Sequence, residues 1–330
     1  MADVEPALFP VIRGLHTYWQ RKTRHLAAPP EDWLADKLLL DLLGLGTEQA
    51  IQYLAAESPD FDGFCRWILA TAGSPEPLEI ARFHAALDGA PPPPAVAARL
   101  AAIDAMPDTL DATHLAHWEE HGYVVLHDAV TPEEAEAAAT LLWETVGADP
   151  SDPATWYSAR SQGMMVQLFQ HPALEAVRRS PRVHKAFAQL WGTSDLWRRV
   201  DRMSFNAPLR ARQAFVPPRL HWDVSLVPPI AFATQGVLYL SDTSEDQGAF
   251  ELVPGFHHEL LDWLDGLGDA DPRKIDLSDR AVRIPGRAGD LIIWRHDLPH
   301  GASPNTTDRP RLAQYVNFYA ASMGIQPEWR

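Results

Sequence analysis

A chain of 330 residues, 46% hydrophobic and 22% charged, has a globular balance and the length for one large domain plus a smaller one. Its formal net charge of −16 opposes a phosphate backbone, so nucleic acid is not an expected partner, and no apolar run approaches the roughly 20 residues that cross a bilayer. The first residues lack the basic-then-apolar layout of a secretory signal and Cys65 is the only cysteine, so we expect no intrachain disulfide, no membrane and a cytoplasmic location.

The first ninety residues read as helices. Trp33, Leu34, Leu38, Leu39, Leu42 and Leu43 recur at helical spacing up to Gly44 and Gly46, and Phe64, Trp67, Ile68, Ile80, Phe83 and Leu87 repeat the pattern around Ser74-Pro75. Trp19, Trp33 and Trp67 are expected in their core. The run Pro91-Pro92-Pro93-Pro94 cannot continue a helix. It places a boundary there, giving a helical N-terminal region over 1–94 and a second domain over 95–330, opened by a connecting helix at 95–103. The helical region is a candidate for homodimerisation or for covering a site.

Beyond residue 107 the pattern changes. Asp111 can cap a helix through Leu115 and Trp118 that stops at Gly122, and Tyr123–Leu126 reads as a strand. Thr131-Pro-Glu-Glu134 has capping-box spacing with proline at the first helical position. From residue 200 onward, short strands are expected at 202–206, 220–225, 236–241, 250–253, 281–284, 291–294 and 312–319, separated by proline and glycine turns. That pattern predicts a sandwich or barrel.

One stretch carries chemistry. In a strand over 220–225, His221 and Asp223 project to the same side, offering an imidazole nitrogen and a carboxylate oxygen to one metal ion. A third ligand is available from the segment Gly289-Asp290-Leu291 to His300. Two histidines and one carboxylate leave open coordination positions, the arrangement of non-haem iron(II) oxygenases. His296 is a competing third ligand.

Residues 110–320 resemble the phytanoyl-CoA dioxygenase family of 2-oxoglutarate oxygenases. The resemblance rests on motifs in order: Leu115-Ala-His-Trp118-Glu-Glu-His-Gly122-Tyr123, His221-Trp222-Asp223, Leu240-Ser-Asp242-Thr243, Gly248-Ala-Phe250, Val253-Pro254-Gly255-Phe256-His257, Gly289-Asp290-Leu291, His300-Gly301-Ala302, Asn305 and Arg309-Pro310-Arg311. It implies an α+β fold with a double-stranded β-helix (jelly-roll, cupin-like) core and flanking helices. The implied cofactors are Fe(II) on His221, Asp223 and His300, the cosubstrate 2-oxoglutarate, and O2. Family spacing selects His300 over His296, and it selects Arg311 over Arg309 to hold 2-oxoglutarate through a permanently charged, forked donor. Arg311, Ala313, Tyr315, Asn317 and Tyr319 would then share one strand face. Asn206 and Gln235 are further candidates for contact with the cosubstrate.

Two positions depart from the family pattern: Trp222 stands where glutamine is frequent, and Ala302 where a serine is. The retained Asp223 favours hydroxylation, or desaturation or cyclisation by the same oxidant, over halogenation, because related halogenases replace that carboxylate with a small residue. The alternative is a non-catalytic sensor or scaffold that binds metal and 2-oxoglutarate. Substrate contacts are expected from Trp222, Arg160, Gln162 and Arg219, with Gln167, Arg210 and Arg212 as further candidates. No basic cluster supports a CoA thioester, so the expected substrate is a small polar metabolite, an amino acid or a biosynthetic intermediate.

Overall fold

The computed structural model describes residues 11–157, 164–210 and 220–330. Six helices come first among them: α1 (Leu15–Thr23), α2 (Trp33–Leu42), α3 (Thr47–Glu57), α4 (Phe61–Ala72), α5 (Pro77–Leu87) and α6 (Pro94–Asp104). Pro77 and Pro94 open their helices, where a missing N–H leaves no hydrogen bond unmade. Then follow α7 (Ala112–His121), β1 (Tyr123–Leu126), α8 (Pro132–Val146), β2 (Met165–Val166), α9 (Pro172–Arg178) and α10 (Pro181–Trp191). The rest is β3 (Leu196–Arg198), β4 (Met203–Asn206), β5 (Thr234–Tyr239), β6 (Phe250–Leu252), α11 (Phe256–Gly266), β7 (Val282–Ile284), β8 (Leu291–Arg295), β9 (His300–Ala302), β10 (Arg311–Tyr315) and β11 (Phe318–Ala320).

The two capping signals form as read. Asp111 accepts from His114 N (3.0 Å), and α7 stops at Gly122 with φ 77°. Thr131 Oγ1 accepts from Glu134 N while Glu134 Oε2 accepts from Thr131 N, closing the box at the start of α8.

The chain is a mix of helices and antiparallel sheets. The large sheet has the order β1-β8-β5-β10-β4-β2, and a smaller sheet has the order β7-β6-β9. Strand alternation gives the large sheet two faces. Leu238, Leu240, Leu291, Ile293, Leu312, Met203 and Phe205 meet α8, α9 and α10 through residues such as Leu142, Val177 and Phe187. Val237, Tyr239, Ile292, Trp294 and Ala313 face the other way, onto Leu220, Trp222, Phe250, Leu252, Ile284 and the α11 residues Phe256 and Leu260. The site lies on this second face, between the sheets.

The N-terminal helices pack around Leu38, Leu39, Leu54, Phe64, Ile68 and Phe83, and they share that core with Trp197 of β3 and Tyr319 of β11. A polar joint accompanies it. Tyr319 Oη donates to Asp41 Oδ2 (2.5 Å), and Val200 N to Asp41 Oδ1 (3.0 Å). Trp33 departs from the expectation, remaining 39% exposed with its indole N–H donated to Ala28 O.

Two further expectations need correction. The strand at 220–225 does not form: only His221 makes a bridge, to His300. The Arg273 guanidinium takes the carbonyls of Trp222 (2.7 Å) and Val224 (2.6 Å), so the backbone there is satisfied by a side chain instead of a neighbouring strand. The strand at 312–319 breaks at Val316-Asn317. The Asn317 side chain accepts from Gly236 N (2.7 Å) and donates to Asp201 (2.9 Å), which turns the chain from β10 into β11 in another sheet. Tyr319 therefore joins the helical core and leaves the Arg311 face.

Candidate metal centre

His221 and His300 are locked together by their backbones, each N–H donating to the other carbonyl at 3.0 Å. This places their rings side by side, with centroids 4.8 Å apart. Asp223 lies across from both: Oδ1 is 3.5 Å from His221 Nε2, and Oδ2 is 3.5 Å from His300 Nε2. Ligand atoms of the three residues lie within 4.8 Å of one another, a group that can hold a metal ion. His-x-Asp thus converges without a strand, because the β9 backbone supplies the alignment.

Hydrogen bonds orient the donors. His300 is 4% exposed, and its Nδ1 lies 3.0 Å from Leu298 O. A carbonyl only accepts, so Nδ1 carries a proton, and release of the proton on Nε2 would leave that nitrogen's lone pair for a metal ion. Gln235 Nε2 donates to Asp223 Oδ2 at 2.8 Å. Burial acts to raise the Asp223 pKa. The hydrogen bonds from His221, His300 and Gln235, with the charge of His300, outweigh it and hold the carboxyl far below the usual range. An ionised carboxylate beside two imidazoles suits a divalent cation such as iron(II).

Arg311 opens β10 and pairs with Asn206 on β4. It is 1% exposed, its guanidinium donates to Ser204 Oγ (2.7 Å), and Nε has no partner among the described residues. Among the described residues no carboxylate pairs with it. A buried cation without a counter-charge costs several kcal/mol, so an anion fits there. Asn206 Nδ2 is a second buried donor without a partner among the described residues. Its amide lies where a side chain on Gly248 would stand, only 2.1 Å from a Cβ built there, and Gly248 has φ +68°. Arg309, by contrast, is exposed beside Asp308.

The family motifs act as pins around this site. Asp290 is 2% exposed and accepts from Arg287 N (2.9 Å) and Asp128 N (3.3 Å), fixing the turn into β8. Asn305 donates to the carbonyls of Asn206 (2.9 Å) and Arg309 (2.8 Å), fixing the loop that delivers Arg311.

Other expected site residues lie elsewhere. Trp222 is 2% exposed, packed on Phe256 and Trp263, with its indole N–H donated to Asp297 O (3.0 Å). The expected substrate contact is therefore corrected to a packing role, since its neighbours His221 and Asp223 turn to the donor group while Trp222 turns to Phe256 and Trp263. Gln235 meets the Asp223 carboxylate, not Arg311. His296 turns to Ala231 O, outside the donor group. Arg210 stacks on the Tyr157 ring (3.6 Å), and Gln167 is exposed. Arg160, Gln162, Arg212 and Arg219 lie outside the described residues. The sequence reading missed Ser204, the partner of Arg311. Its place two residues before Asn206, on the same strand face, was the available signal.

Comparison with known proteins decides the family. The model for phytanoyl-CoA dioxygenase (PhyH) matches residues 118–313, more than half of the chain. The chain belongs to the phytanoyl-CoA dioxygenase family. It is a 2-oxoglutarate-dependent dioxygenase, with iron, 2-oxoglutarate and O2 as its cofactors. Similar curated proteins include the ectoine dioxygenase of Bordetella bronchiseptica, 21% identical over 67% of this chain and 79% of that one. Another is the methylphosphonate hydroxylase of Gimesia maris, 22% identical over 66% and 84%. Among solved structures, HygX of Streptomyces hygroscopicus with nickel and 2-oxoglutarate bound is 17% identical with a TM-score of 0.47, over 65% of this chain and 88% of that one. The family match begins in α7, so α1–α6 lie outside it. Among the described residues no helix is long and apolar enough to cross a membrane.

Proposed function

We propose that His221, Asp223 and His300 bind iron(II), that Arg311 holds the far carboxylate of 2-oxoglutarate, and that the reaction hydroxylates an unactivated C–H bond of a small polar metabolite. One juxtaposition carries this reading: three converging donors share a face with a buried arginine that has no carboxylate partner among the described residues. We read the two packed antiparallel sheets as a double-stranded β-helix (jelly-roll) core, the architecture in which these elements close around such a site.

Iron(II) with 2-oxoglutarate supplies the oxidant, with succinate and CO2 released. The chain's own residues bind and orient. Gln235 keeps Asp223 turned toward the two histidines, and the Leu298 carbonyl keeps His300 in the ligating tautomer. Arg311 and Ser204 form one end of the cosubstrate pocket, and Asn206 adds a donor beside them. Trp294 and Phe250 pack at 5.1 and 6.0 Å from the His300 ring and keep that side dry. The retained Asp223 occupies the position a halide would need, which favours hydroxylation. Ectoine and methylphosphonate, the compounds named for two relatives, are small and polar, which supports the substrate class.

Anaerobic addition of Fe(II) and 2-oxoglutarate tests the site. We expect a visible metal-to-ligand charge-transfer band in the wild type and its loss in His221→Ala. No band in the wild type, or one that survives in the variant, overturns the assignment. Succinate release during a metabolite screen identifies the substrate. Cofactor binding without succinate from any candidate would favour the sensor reading.

A further inference from the structure

A second cleft, of about 650 Å³, lies between the N-terminal helices and the outer side of β3. Its volume falls within the range of small-molecule sites, roughly 300–1,000 Å³. Five arginines line it (Arg82, Arg178, Arg179, Arg198 and Arg199), against four acids (Asp41, Glu76, Glu79 and Glu175). In a chain with a net charge of −16, five arginines gathered around one cleft run against the charge of the whole molecule.

Three of the four acids are already engaged, while Glu76, exposed at the start of α5, makes no ion pair among the described residues. Glu175 holds both Arg178 (2.8 Å) and Arg179 (3.1 Å). Glu79 holds Arg99 (2.7 Å) and lies 3.7 Å from Arg82, whose other partner is Asp195 (2.7 Å). Asp41 is bound by Tyr319 and Val200 N. Arg199 lies 3.8 Å from Asp201. The Arg198 side chain, half-buried on β3, makes no hydrogen bond and no ion pair among the described residues. Burial and the charge of Arg179 pull its pKa below the usual arginine value, although Glu175 and Glu79 act in the opposite direction. A forked cation thus lines the cleft with its side-chain donors unpaired among the described residues.

We propose that this cleft is a second ligand site, separate from the metal centre, for a small polyanion held by Arg198 with Arg179 at its rim. The shared chemistry is two or more negatively charged oxygen groups on one small molecule, as in a phosphorylated or a polycarboxylic metabolite. Because the cleft is lined by α2, α5, α9 and β3, its ligand fastens the N-terminal helices onto the sheet pair beneath them.

Isothermal titration of the full-length chain in metal-free buffer, with pyrophosphate and separately with citrate, tests this and distinguishes the two sources. We expect at least one to bind with Kd below about 1 mM and to raise the thermal midpoint. Arg198→Gln removes charge-assisted hydrogen bonds, so it should weaken binding about tenfold or more. Arg179→Gln, at an exposed position that leaves the fold intact, should weaken it about threefold. Binding of neither anion, or binding that both substitutions leave within a factor of about two, overturns the proposal. The latter result would place the anion at Arg311 instead.

Discussion

Gln235→Leu isolates the support of the metal carboxylate. The substitution keeps side-chain length on β5 and removes one hydrogen bond, from Nε2 to Asp223 Oδ2 at 2.8 Å. A bond to a charged acceptor contributes about 1.5–3 kcal/mol when buried. Here Asp223 is half-exposed, with a side-chain accessibility of 52%, so water replaces part of the lost bond and the range falls to about 1–2 kcal/mol. Gln235 Oε1 is buried and already lacks a partner, so leucine strands no new polar group there. The cost therefore appears in metal binding and not in folding. At about 1.4 kcal/mol per decade, iron(II) affinity should drop about five- to thirtyfold. Anaerobic titration of Fe(II) at saturating 2-oxoglutarate, followed by the charge-transfer band, measures it. The thermal midpoint of the metal-free protein should change little. An iron affinity within twofold of wild type would show that Asp223 is oriented without Gln235 and would refute the reasoning.

Two further outcomes are expected. Stability should fall as pH drops from about 6.5 to 4: burial, then the charges of Arg295 and His258, push His257 down to about 4, so below pH 6.5 the unfolded chain binds a proton that folded His257 refuses. Solvent screening of this partly exposed ring limits its share to about 1–2 kcal/mol, and urea unfolding at pH 7 and pH 5 should show it flattened in His257→Gln. Gly248→Ala puts a Cβ at positive φ and 2.1 Å from Asn206 Nδ2, so it should lower the thermal midpoint by an amount equivalent to about 1–3 kcal/mol and weaken 2-oxoglutarate binding. An unchanged midpoint together with unchanged affinity would mean that Asn206 has another place to go.

Much of this protein is decided by local chemistry. The caps at Asp111 and Thr131, the prolines opening α5 and α6 and the alternation in β5, β8 and β10 depend on neighbours a few residues away. They are therefore legible in the chain itself. The convergence of His221, Asp223 and His300, and the candidate Arg311, stand out in the chain through spaced motifs, whose other members prove to be pins such as Asp290 and Asn305. Tertiary structure decided the rest, because it depends on groups far apart in sequence. The side chain of Arg273 took the carbonyls around Trp222 and cancelled a strand, while the backbone of His300 aligned His221 in its place. Gln235 went to Asp223 because β5 runs beneath it, and Trp222 turned into an aromatic cluster that only the packing of α11 creates. Asn317 broke the last strand and sent Tyr319 to the N-terminal helices, where β11 pairs with β3 and its Arg198 lines the cleft. Spacing along the chain specifies which side chains can share a face. Only the fold specifies which distant groups compete for the same hydrogen bonds.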